Sequence, residues 1–106
     1  LNDLEFANIW SESRQRQKKL SKRVIAGELR GKGVAQDIID EVVAKIDDTT
    51  EYQTAFALAE KKFRSCGHLP EDKVYSRISG LLNRKGFSSA LASRIIRELL
   101  GKSPSN

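Results

Sequence analysis

A chain of 106 residues with 39% hydrophobic and 31% charged residues has the length of one small domain or two very small ones, and its composition is that of a folding chain too short for a multidomain enzyme. Nineteen Lys and Arg against fourteen Asp and Glu leave a net charge of +5, which favours anionic partners, and no apolar run approaches the roughly 20 residues a membrane span needs. Leu1 to Trp10 carries acids and lacks a basic start followed by an apolar stretch, so no signal peptide is read. The single cysteine, Cys66, has no internal disulfide partner, which fits a reducing compartment, and the expected location is cytoplasmic. Position 1 is not methionine, so a longer natural chain is expected.

Apolar spacing reads as helix from end to end. Phe6, Ile9 and Trp10 place a first helix near 3–16, and Ile25 and Leu29 a second near 21–31. Gly31 and Gly33 supply the left-handed residue that ends it. Ile38, Ile39, Val42, Val43 and Ile46 line one face of a third helix near 35–46. Asp48-Thr49-Thr50-Glu51 has the spacing of a capping box, which starts a fourth over 50–65. Pro70 followed by Glu71 and Asp72 opens a fifth over 71–84, and Ser88 after Gly86 caps a sixth over 88–100. No segment reads as a strand.

Sliding the chain against itself by 53 positions shows two copies of one three-helix unit. Trp10 meets Phe63, Ile25 meets Ile78, Leu29 meets Leu82, Gly27 meets Gly80, Lys32-Gly33-Val34 meets Lys85-Gly86-Phe87, and Ile38, Val42, Val43 and Ile46 meet Leu91, Ile95, Ile96 and Leu99. The fold class that follows is all-α: two tandem three-helix repeats, 1–47 and 48–100, in an elongated, curved helical array with a flexible tail at 101–106. The expected core anchors are Phe6, Trp10, Ile25, Leu29, Phe63, Ile78, Leu82 and Phe87, and the expected helix-cap glycines are Gly33 and Gly86.

Charge is unevenly placed. Arg14, Arg16, Lys18, Lys19, Lys22 and Arg23 follow one another without an acid, whereas Asp37, Asp40, Glu41, Asp47, Asp48 and Glu51 are relieved only by Lys45. The basic run straddles the turn between helices one and two, so it cannot lie on one helical face, although its charges can still converge in space. Lys32 and Lys85 each complement the negative end of a preceding helix dipole. Cys66 and His68 lack the further ligands zinc requires and the third group a Cys-His nucleophile requires, and Gly101-Lys102-Ser103 lacks the earlier glycine of a phosphate loop. No metal, no cofactor and no catalytic residue is expected.

Phe6-Ala7, Trp10, Ser13-Arg14, Ser21-Lys22-Arg23, Ala26, Glu28-Leu29 and Lys32-Gly33-Val34, with Arg84-Lys85-Gly86-Phe87 in the second copy and Leu1-Asn2-Asp3 at the start, resemble the RecX family of bacterial RecA regulators, most closely its actinobacterial branch. Other branches write Gly-Tyr-Gly-Pro where this chain has Lys19-Leu20-Ser21-Lys22. The resemblance implies the second and third of three modules and a cytoplasmic, non-enzymatic protein, and a monomer is expected. It also implies binding to the RecA-DNA filament and lowering of its ATPase, strand-exchange and co-protease activities. Arg14, Arg16, Lys18, Lys19, Lys22 and Arg23 are the expected RecA and DNA contacts, with Arg84 and Lys85 secondary. Single- and double-stranded DNA are expected as weak, non-specific partners, and no membrane.

A DNA-binding module of the helix-turn-helix kind is the alternative, because three-helix units of this size also build such readers. Its recognition helix would be Ala35–Ile46, where Asp37, Asp40 and Glu41 oppose phosphate, or Ser88–Leu100, which offers Ser89, Ser93, Arg94 and Arg97.

Overall fold

A computed structural model describes residues 2–102. Among them are six α-helices and no strand: α1 (Asp3–Ser13), α2 (Lys22–Gly31), α3 (Gln36–Val43), α4 (Asp48–Cys66), α5 (Glu71–Arg84) and α6 (Ser89–Leu99). Four helices start on a side chain that accepts an otherwise unpaired backbone N–H. Asn2 accepts from Glu5, Ser21 from Val24, Asp47 from Thr50 and Ser88 from Leu91.

Three boundaries differ from the sequence expectation. The first α-helix ends at Ser13 rather than 16, because Arg14–Lys18 winds into a π-helical turn closed by the Lys19 N–H on the Arg14 and Gln15 carbonyls. The fourth helix starts at Asp48 rather than 50, since Asp47 and not Asp48 is its cap. The third helix ends at Val43 rather than 46, with Ala44 as its cap, whereas α5 spans Glu71–Arg84 as expected, with Pro70 as its cap residue. At the chain's end Gly101 turns left-handed (φ +72°), and Lys102 bonds the Arg97 carbonyl and pairs with Glu71 at 3.2 Å, so the expected tail is held through Lys102. Residues 103–106 and Leu1 lie outside the described residues.

Each repeat has its own core. The first gathers Ala7, Ile25, Leu29, Val34, Ile39, Val42 and Ile46, with Trp10 half-buried against it. The second gathers Ala55, Ala59, Cys66, Val74, Ile78, Leu82, Phe87, Ala92, Ile95 and Ile96, with Tyr52, Phe56 and Phe63 partly buried around it. Phe6, expected as a core anchor, is 43% exposed and stacks on Trp10 at 6.1 Å instead. The cause is the face α1 presents, which is set by Ala7 and Ser11. At an offset of 53 the buried Ala7 falls on exposed Glu60 and the exposed Phe6 on buried Ala59. The repeat therefore keeps register from the second helix of each unit onward and loses it in the first, where 11 α-helical residues and a π-turn stand against the 19 residues of α4.

The two units form an elongated body of 51 × 28 × 17 Å. Its radius of gyration, 15.5 Å, exceeds the roughly 13 Å of a compact domain of this length. What joins them is the start of α2 laid on the turn between α5 and α6. The Ser21 N–H donates to the Lys85 carbonyl (3.0 Å) and the Arg23 guanidinium to the Gly86 carbonyl (3.1 Å). Gly86 is left-handed (φ +98°), and a Cβ on it would overlap Val24 Cγ2 and Ser21 Oγ. Gly33, its counterpart in the first unit, is also left-handed (φ +84°) but has open space around it.

Candidate functional site

The basic run between Arg14 and Arg23 is divided by the fold into structural and free charges. Arg14 belongs to the first unit's interior edge. Its guanidinium grips Glu28 on α2 through two bonds (Nε to Oε1, 3.0 Å; Nη2 to Oε2, 2.6 Å), while Trp10 Nε1 donates to the same carboxylate at 3.1 Å. The Arg14 hydrogen bonds, aided by Trp10, hold the Glu28 carboxyl below the ordinary carboxylate range despite its partial desolvation. Lys32 stacks its ammonium 4.2 Å from the Trp10 ring centre, so this lysine too is engaged.

Lys22 and Arg23 are committed to the joint between units. Lys22 Nζ pairs with Asp48 at 3.1 Å and its backbone N–H points at the Glu51 carboxylate (3.3 Å), while Arg23 holds Gly86. Glu51 is half-buried there, and desolvation pushes its carboxyl above the ordinary range, more than the Lys22 N–H and charge pull it down. On the far side of the joint Lys85 contributes its backbone carbonyl to Ser21, and Arg84 is exposed at the end of α5. Of the eight residues expected to contact a partner, the fold thus brings Lys22, Arg23 and Lys85 together, with Arg14 held apart in its own pair.

Arg16, Lys18 and Lys19 remain, all exposed on the π-turn. Lys19 ends that turn in the left-handed conformation (φ +57°), the single non-glycine residue so placed among the described residues. Opposite it, α4 presents Thr50, Gln53, Thr54, Ala57, Leu58 and Lys61, and with Gln15 and Lys19 these line a groove of about 520 Å³. Sequence reading missed Lys61, because no spacing along the chain links it to Lys19. Only the joint, which lays the π-turn beside α4, brings the two lysines to one groove.

The acids of the joint face the other way. Asp48, Glu51 and Tyr52 line a second groove of about 380 Å³ with Lys22, Arg23 and Arg94. There Arg94 lies over the Tyr52 ring (4.7 Å) and pairs with Glu98 (3.3 Å), and the Tyr52 hydroxyl donates to Glu98, which pushes the phenol above its ordinary range. Helix α4 therefore separates charge around its axis: paired acids on one flank, an acid-free groove on the other. Such a surface can bind anions.

Two family models match, one described as RecX, second three-helix domain, over residues 2–43, and one as RecX, third three-helix domain, over residues 49–96. Regulatory protein RecX of Streptomyces coelicolor is 41% identical over 100 residues, which are 94% of this chain and 53% of that protein. The protein of the same name from Amycolatopsis mediterranei is 36% identical over 100 residues, 94% of this chain and 57% of its own length. A crystal structure of RecX from Lactobacillus salivarius superposes with a TM-score of 0.80 at 25% identity, covering 93% of this chain and 64% of that one. The chain spans about half the length of the curated relatives it matches. Among the described residues no helix is long and apolar enough to cross a membrane.

Proposed function

The chain belongs to the RecX family of regulatory proteins, and from that premise we propose that it is a negative regulator of RecA, binding the RecA-DNA filament and lowering its ATPase, strand-exchange and co-protease activities in recombination and the SOS response. It acts by occupancy rather than by chemistry, as a cytoplasmic monomer. The observation that carries this reading is the pairing of an elongated two-unit body with three unengaged cations, Arg16, Lys18 and Lys19, on one turn. A rigid array of helices can follow a helical groove, and a cluster of fixed positive charges at its middle can meet phosphate or acidic protein surface. Arg84, exposed at the end of α5, is a secondary contact.

The alternative, a helix-turn-helix reader of DNA, is disfavoured by the engagement of Arg94 on α6 and by the acids of α3. Arg94 is held by Glu98 and Tyr52, and α3 exposes Asp37, Asp40 and Glu41, which oppose phosphate. Replacing Arg16, Lys18 and Lys19 together by glutamine is expected to weaken inhibition of RecA's single-stranded-DNA-dependent ATPase about tenfold or more and to flatten its salt dependence. Unchanged inhibition would sink the assignment of the contact surface.

A further inference from the structure

Between α4 and α6 the second unit carries a groove with chemistry opposite to that of the basic turn. Tyr52 and Phe56, one turn apart on α4, stack with ring centres 5.8 Å apart. With Gln53, Ala57 and Glu60 of the same helix and Glu98 of α6 they line a space of about 260 Å³, which has two carboxylates and no cation in its lining. Neither carboxylate is consumed inside the molecule. Glu98 accepts the Tyr52 hydroxyl and pairs with Arg94 at 3.3 Å, and Glu60 pairs only with Arg64 at 3.7 Å. Both arginines stand four residues from their acid on an open helix surface, each 67% exposed. Such pairs contribute little, so an arriving cation can share or displace them.

The chain shows what this surface takes. Arg94 lies over the Tyr52 ring at 4.7 Å while its Nε donates to Glu98, a guanidinium held by an aromatic face and a carboxylate together. Phe56 and Glu60 present the same two groups one turn further along α4, and among the described residues no cation lies over the Phe56 ring. Paired carboxylates repel phosphate and acidic peptide. No group of three His, Cys, Asp or Glu side chains that could hold a metal ion occurs among the described residues. A guanidinium fits on both counts, since its plane stacks on the ring and its N–H groups reach the acids.

We propose that the groove between α4 and α6 docks an arginine-bearing segment of a protein partner, with the guanidinium stacked on Phe56 and bonded by Glu60 and Glu98, and that this partner is the RecA subunit. The name of the partner rests on the filament-regulator reading. The chemistry of the groove does not.

Three variants test it. Phe56→Leu keeps an apolar side chain and removes the ring, Glu60→Lys reverses one carboxylate, and Glu41→Lys makes the same charge change on exposed α3 of the other unit. The probes are RecA without DNA, read by anisotropy of the labelled protein, and N-acetylarginine amide, read by backbone amide chemical shifts. Phe56→Leu is expected to weaken RecA binding about three- to fivefold and Glu60→Lys about tenfold, with Glu41→Lys unchanged. In the parent, the arginine amide should shift Tyr52, Phe56 and Glu60, and Phe56→Leu should abolish those shifts. Parent-like RecA binding by both groove variants overturns the assignment of RecA, and so does equal weakening by Glu41→Lys, which would make the effect one of net charge. Absence of arginine-dependent shifts at Tyr52 and Phe56 overturns the groove itself. Shifts there in a parent that binds no RecA keep the groove and overturn the filament-regulator reading. Self-association of the parent that Glu60→Lys abolishes would put the basic turn of a second copy in the groove and overturn the proposal.

Discussion

Gly33 and Gly86 hold the same place in two copies of one unit, both left-handed, yet one faces open space and the other is pressed against its neighbour. The local chemistry is shared: each ends a helix and each follows a lysine. The surroundings are not. Gly33 answers only to the backbone, whereas Gly86 answers to the backbone and to Val24 and Ser21 of the preceding unit. A repeated motif thus carries two jobs in one copy and one in the other, and substitution can separate them.

The largest contrast is between Gly33→Ala and Gly86→Ala. The first should cost about 1 kcal/mol, the strain of a left-handed alanine. The second adds overpacking against Val24 and should cost about 3 kcal/mol in total, with a rise in the radius of gyration seen by small-angle scattering as the joint opens. Equal costs from urea unfolding would mean that the joint contributes nothing. Next in size is a difference between the cores: the first buries seven residues and the second ten. Native-state hydrogen exchange should find α1 and α2 opening at a lower free energy than α5 and α6. Uniform protection would make the two units one cooperative block.

Smaller effects separate the carboxylates of the two regions by sign. Glu51 at the joint is raised by desolvation, so the stability tied to its protonated form is present below the ordinary carboxylate range and lost as pH rises through the raised value. Glu51→Gln keeps an acceptor for the Lys22 N–H and should raise Tm at pH 7, with the gain vanishing near pH 4. Glu28 inside the first unit is lowered by Arg14, so its contribution is present above the ordinary range and lost as pH falls through the lowered value. Glu28→Gln should therefore lower Tm at pH 7 and cost less in acid. Thermal melts at the two pH values check both. The smallest effect is at Lys22 and Asp48, where Asp48 is fully exposed and Asp48→Ala should leave the melting temperature unmoved.

How much of this was legible in the sequence follows the same division. From the second helix of each unit onward the apolar spacing and the Lys-Gly turn carry the register, because Ile25, Leu29, Ile78 and Leu82 face cores built from their own unit. In α1 the sequence signal points the wrong way, since Phe6, Ile9 and Trp10 have the spacing of a core stripe while the small residues Ala7 and Ser11 take the inward face. The π-turn leaves no periodic signal in Arg-Gln-Arg-Gln-Lys. The candidate site was legible as a basic run and no further. Which charges are spent on Glu28, Asp48 and Gly86, and that Lys61 joins Lys19, are facts of tertiary contact between residues 14 to 63 positions apart.

The most direct measurement is RecA's ATPase on single-stranded DNA, titrated with this protein at several salt concentrations beside a DNA-only binding curve. Inhibition below one protein per RecA, persisting at salt where DNA alone is no longer bound, is the expected result for a filament regulator. Absence of inhibition alongside tight, salt-sensitive DNA binding would contradict it and leave a DNA-binding module in its place.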